Sequence, residues 1–262
     1  MSVTVFVGCS FTSGKGFELE QQEPNLWVNL LHKNIPAIAK TKLVNKGRSG
    51  ASNSDTFQLA VDNILTHRPE YAFVQWTSGP RYNVVLGVET YSASQYFGHD
   101  GEVFAHNLHN ENYTLSYLAN IRDRFLSLHH PHGDILKVVE YTNILTKLAE
   151  TTGTKLFFIN GICPWDDHFF DQLSDCLPSN YTPYTQKILD TETRDDDEIF
   201  ALYNKIHSEY TQAGGIDQSR WLNLYNSLSK NKIDTNNDGT HPGIKSNQAF
   251  FDFLSTSLTT KI

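Results

Sequence analysis

Val3 to Gly8 is an unbroken β-branched and apolar run, the pattern of a parallel strand covered on both faces. A polar, glycine-containing loop follows from Ser10 to Gly16. Leu26, Trp27, Leu30 and Leu31 then recur at helical spacing, with Pro24 placed to open that helix. Lys42 to Asn45 reads as a short strand closed by Gly47 and Gly50, and Asn53 to Leu65 as a helix with Phe57, Leu59, Ala60, Val61 and Ile64 on its apolar positions. Tyr71 to Trp76 and Thr154 to Asn160 are further buried strands, separated by an amphipathic helix over Ile135 to Leu148. Trp221 to Leu224 predicts a short fifth strand, and Ile244 to Leu258 a closing helix.

Strands that alternate with helices in this way predict a parallel sheet with helices on both faces. The stretches 84–133 and 162–218 are long, aromatic and polar, and they read as two insertions off the sheet within a single domain of residues 1–262. In such sheets ligands bind beyond the carboxyl ends of the strands. Insertions there would shape a pocket; a cover for one face or a subunit contact would explain them as well.

Composition narrows the function classes. Of 262 residues, Lys and Arg number 21 against 29 Asp and Glu, a net charge of −8, which argues against nucleic acid or an anionic membrane as partner. Charged residues at 19% with aromatics at 12% describe a folded chain, not a disordered one. Three cysteines without a CxxC pair argue against a disulfide framework and fit a reducing, cytoplasmic compartment. The opening apolar run is too short for a signal peptide, and no run approaches the ~20 residues of a membrane span.

Three segments could carry chemistry. Ser10, in Gly8-Cys9-Ser10-Phe11-Thr12, follows the first strand at the ligand edge of the sheet, where a serine needs only a base to become a nucleophile. An ordinary turn serine fits that position too. Asp238-Gly239-Thr240-His241-Pro242-Gly243 precedes the last helix and supplies an imidazole with a carboxylate three residues earlier, able to fix its tautomer. The run from Asp234 to Gly239 also begins like a calcium loop, but its twelfth position is Lys245 instead of glutamate. In Asn45-Lys46-Gly47-Arg48-Ser49-Gly50, Gly50 offers an unobstructed backbone N–H for an oxyanion. A glycine-rich turn capped by Ser52 or Asn53 is the plainer reading.

Taken in order, these blocks resemble the SGNH hydrolase family of GDSL-type esterases. GCSFT stands where that family has its nucleophile block, NKGRSG where it has the second block, and DGTHPG matches its DxxH block. The resemblance implies a three-layer α/β/α sandwich of flavodoxin-like topology with five parallel strands in the order 2-1-3-4-5. It implies Ser10 as nucleophile, His241 as base, Asp238 as its orienter, and the N–H groups of Ser10 and Gly50 in the oxyanion site. It implies no cofactor and no metal. The substrate would be a small acyl ester, including an O-acetylated carbohydrate; acyl transfer by the same triad and a non-catalytic glycan- or protein-binding module are the alternatives.

Two departures stand out. Cys9 replaces the usual aspartate beside the nucleophile. The third block, whose asparagine donates to the oxyanion, is missing after Trp76. Either Ser78, Thr77 or Arg81 substitutes, with Asn83 farther along, or the enzyme is slow, since losing one such donor costs about 3 kcal/mol. Arg81 would equally serve an anionic substrate group or an exposed ion pair. His106, His109, His129, His130 and His132 lack a completing carboxylate and read as loop histidines; Asp195 to Glu198 reads as an acidic helix start.

Overall fold

Alternating side chains along three of the predicted strands settle onto two separate cores. Phe6, Tyr71, Phe73, Phe157 and Ile159 face one way, and Val5, Val7, Ala72, Val74, Trp76, Leu156 and Phe158 face the other. The computed structural model describes residues 2–17, 24–77, 81–86, 89–94, 131–161, 218–222 and 227–262.

The strands are β1 (Val3–Gly8), β2 (Lys42–Gly47), β3 (Tyr71–Trp76), β4 (Arg81–Leu86), β5 (Glu89–Ser94) and β6 (Lys155–Asn160). Four of them form a parallel sheet in the order β2-β1-β3-β6. The helices are α1 (Ser10–Ser13), α2 (Trp27–Asn34), α3 (Pro36–Ala39), α4 (Asn53–His67), α5 (Pro131–Thr152) and α6 (Ile244–Thr259). Helices α2, α3 and α6 cover the first core and α4 and α5 the second, which makes the expected three-layer sandwich. An aromatic ladder crosses the first core, with Phe6 stacked on Phe73 at 4.6 Å and Phe73 on Phe157 at 5.3 Å. On the second face Trp76 stacks on Phe158, and Phe158 meets Trp221 at 5.4 Å.

The expected fifth strand is described only at Trp221 and Leu222, since Asn223 and Leu224 lie outside the described residues. Among the described residues Trp221 makes one parallel bridge to Phe158, with the Leu222 N–H donating to the Phe158 carbonyl. It occupies the position beyond β6 that a fifth strand would take. β4 and β5 form a separate antiparallel hairpin, with Arg81 opposite Ser94 and Asn83 opposite Ser92. That hairpin accounts for the start of the 84–133 insertion. Residues 95–130, nearly all of 162–218, Ser78, Cys163, Cys176, His106, His109, His129, His130 and the run 195–198 lie outside the described residues. Among the described residues no helix is long and apolar enough to cross a membrane.

Because the four strands run parallel, their carboxyl ends share one edge. Gly8, Gly47, Trp76 and Asn160 end there, so the loops carrying Ser10, Gly50 and Thr77 leave from the same side of the sheet.

Candidate active site

Ser10 opens α1 directly after β1 and is buried, with Cys9 as the extended residue before it. The turn closes tightly: the N–H groups of Thr12 and Ser13 both donate to the Cys9 carbonyl, at 3.1 and 3.0 Å. The end of the neighbouring strand β2 braces it. Asn45 Nδ2 donates to the Thr12 carbonyl at 2.8 Å, and a side chain at Gly47 would bring its Cβ to 2.6 Å from the Thr12 carbonyl carbon. The second block thus has a packing role in Asn45 and Gly47 besides the oxyanion role expected of Gly50. Gly50 itself lies exposed at φ +77°, with nothing within 4 Å of where a Cβ would point. Ser52 is the cap of α4, in a reciprocal box with Asp55: Asp55 N–H donates to Ser52 Oγ at 3.1 Å, and Ser52 N–H to Asp55 Oδ2 at 2.9 Å.

Asp238 and His241 are in direct contact. Asp238 Oδ2 lies 2.6 Å from His241 Nδ1, while Oδ1 accepts from the backbone N–H groups of His241 and Thr240, each at 2.9 Å. A carboxylate on Nδ1 selects the tautomer with its proton there and leaves Nε2 as the acceptor. Partial burial pushes the Asp238 carboxyl up, but the two N–H groups and the imidazole outweigh it and hold the group well below the usual carboxylate range. The carboxylate therefore stays charged beside any imidazolium that forms.

The loop that presents this pair is a closed structure. Thr235 bridges Pro242, and Asn236 N–H donates to the His241 carbonyl at 2.8 Å. Asp234 pins the loop to α6: its Oδ1 accepts from Ser246 N–H at 2.7 Å and its Oδ2 from Lys245 N–H at 3.1 Å. These are helix N-terminal donors with no partner inside the helix. The carboxylate oxygens of Asp234 and Asp238 that a calcium loop would turn inward are bonded within the protein itself. Among the described residues no group of three or more His, Cys, Asp or Glu could hold a metal ion.

The two ends of the chain meet at this site. A Cβ on Gly16, in the loop after Ser10, would fall 2.7 Å from Asp238 Oδ2. Phe11, the residue after Ser10, stacks on Phe250 of α6 at 6.1 Å. Trp27 links the same parts: its Nε1 donates to the Phe11 carbonyl at 2.9 Å, and its backbone N–H to Asn247 Oδ1 at 3.1 Å. Asn247 Nδ2 in turn donates to the Gly243 carbonyl, two residues past His241.

The exit of β3 is tied to the start of α4. Thr77 N–H donates to Asn53 Oδ1 at 2.8 Å, and Asn53 Nδ2 reaches back to the Thr77 carbonyl at 3.3 Å. Among the described residues the buried Thr77 hydroxyl has no hydrogen-bond partner. Arg81 and Asn83 lie on β4 in the hairpin.

One residue escaped the reading of the sequence altogether. Gln75, fully buried on β3, accepts from Cys9 N–H at 3.1 Å and from the Thr12 hydroxyl at 2.8 Å. A polar residue inside an otherwise apolar strand was the available signal.

No protein-family model matches the sequence, and no curated protein matches it. Among solved structures the chain is similar to TesA, at 15% identity over 100% of each chain with a TM-score of 0.49. It is also similar to a member of the lipolytic protein G-D-S-L family from Veillonella parvula, at 11% identity over 100% of each chain and a TM-score of 0.44. A carbohydrate acetylesterase family member from Sinorhizobium meliloti follows, at 10% identity over 100% of this chain and 99% of that one, with a TM-score of 0.45.

Proposed function

We propose that the protein is a serine ester hydrolase working through an acyl-enzyme. The observation that carries this reading is the contact between the loop after Ser10 and the Asp238–His241 pair, at the carboxyl edge of a parallel sheet. In this mechanism Ser10 Oγ attacks the acyl carbonyl carbon while His241 Nε2 takes the hydroxyl proton. The carbonyl oxygen gains the negative charge and is met by the N–H groups of Ser10 and Gly50. Collapse of this adduct breaks the ester C–O bond, and the departing alkoxide receives the proton from the imidazolium. Water then attacks the acyl-serine, His241 takes its proton, and the carboxylic acid leaves as Ser10 is regenerated. Asp238 keeps Nδ1 protonated and faces the transient positive charge throughout.

Within this reading the third oxyanion donor comes from the exit of β3, where Thr77 carries a hydroxyl with no partner among the described residues. The substrate class is a small acyl ester, including O-acetylated carbohydrate, and the chain is one domain. The experiment is hydrolysis of p-nitrophenyl acetate by the wild type and by Ser10→Ala and His241→Ala. Each substitution is expected to lower kcat/KM by ~10⁴-fold. Activity that survives both would reject the reading.

A further inference from the structure

We infer that Gln75 is a positioning residue for the nucleophile turn, a role that rests on Ser10 being the attacking group. Its amide grips the turn on both sides of that serine. Oε1 accepts from the N–H of Cys9, one residue before, and from the hydroxyl of Thr12, two residues after. The Cys9 thiol also lies 3.3 Å from Oε1 and from Nε2. On the other side Nε2 donates to the Trp76 carbonyl at 2.8 Å.

These partners leave one orientation for the amide. A backbone N–H can only donate and a backbone carbonyl can only accept, so Oε1 must face Cys9 and Nε2 must face Trp76. The amide packs over Gly161, where a side chain would leave it no room: a Cβ there would sit 2.7 Å from the Gln75 Cδ. Gln75 thereby transfers the rigidity of the central strand β3 to a four-residue helix that has little stability of its own. A nucleophile held on so short an element depends on such external bonds, because about 1 Å of misplacement costs ~10²-fold in rate.

The test compares Gln75→Met and Gln75→Glu with the wild type, reading kcat and KM on p-nitrophenyl acetate, the rate of Ser10 labelling by a fluorophosphonate, and Tm. Methionine keeps the length and removes every hydrogen bond. Its kcat and labelling rate should fall by ~10²-fold, with KM within about twofold and the cooperative unfolding transition retained. Glutamate makes the role visible through pH. A protonated carboxyl accepts from Cys9 and Thr12 and donates to the Trp76 carbonyl, as the amide does, whereas the carboxylate has no donor to offer. Burial favours the neutral form, so the labelling rate of Gln75→Glu relative to wild type should climb as pH is lowered from about 8 to about 6. The same ratio for Gln75→Met should stay flat. The Cys9 thiol, the titratable group Gln75 touches among the described residues, is common to all three proteins.

Labelling of Gln75→Met at the wild-type rate, or a Gln75→Glu ratio that is flat with pH, would overturn the positioning role while leaving Ser10 as nucleophile. A wild type that neither hydrolyses the ester nor labels at Ser10 would overturn both readings, and the two failures are thus distinguishable.

Discussion

At Gly16 a single added methyl group reports on the meeting of the chain ends. Gly16 (φ +91°) and Gly50 (φ +77°) both have left-handed backbones, so alanine at either costs about 1–2 kcal/mol of strain. At Gly50 nothing more is disturbed, since its surroundings are open. At Gly16 the new Cβ would meet the Asp238 carboxylate at 2.7 Å and press it away from His241. Calorimetry should therefore find Gly16→Ala less stable than Gly50→Ala; equal Tm values would speak against the contact. Residue identities were unevenly legible in the sequence. Asp238 and His241 stand three apart in one loop, and Ser10 follows a strand directly, so local pattern sufficed to single them out. Gln75 was hidden because its partners lie 63 and 66 positions away, where no local pattern reaches. Asp234 looked like the start of a cation loop until its carboxylate proved to be bonded to the first turn of α6.

For the loop that carries His241, that bonding sets a dependence on pH. Burial raises the Asp234 carboxyl, but the Ser246 hydroxyl, the N–H groups of Ser246 and Lys245 and the Lys245 charge together hold it below its ordinary value. A depressed folded-state value means that the stabilisation is fully present above the unfolded carboxylate range near ~3.9 and is lost as pH falls below it. The Tm advantage of wild type over Asp234→Asn should thus be steady from about pH 8 to 5 and shrink toward about pH 3. An advantage that grows in acid would contradict this account. Asn247 makes a second prediction at this scale. Asn247→Ala leaves the buried Trp27 N–H without its acceptor and should cost about 1–3 kcal/mol in urea unfolding, while Asn34→Ala, on the exposed end of α2, should cost far less. Most elements were readable because long apolar runs and helical periods left little choice. Of the expected fifth strand, Trp221 is buried against Phe158 and pairs with it through one parallel bridge, while Asn223 and Leu224 lie outside the described residues. The β4–β5 hairpin went unread because it pairs outside the main sheet, within a stretch that the alternation of strands and helices did not assign.

Across the molecule, one arrangement joins fold to chemistry. A parallel sheet gathers its loop exits on one edge, and α6 lies on the same face as α2, so the closing loop returns to the opening one. Trp27 bonds to both, through Phe11 and Asn247. The architecture was legible from element order alone. The specific seam between the first and last segments was not, because it is made of single hydrogen bonds between residues as far as 220 positions apart. Incubation of the whole protein with a fluorophosphonate, followed by peptide mapping, tests the outcome of that arrangement most directly. The account predicts one modified residue, Ser10, and loss of the modification in His241→Ala. Modification of a different serine, or equal labelling of Ser10 without the imidazole, would contradict it.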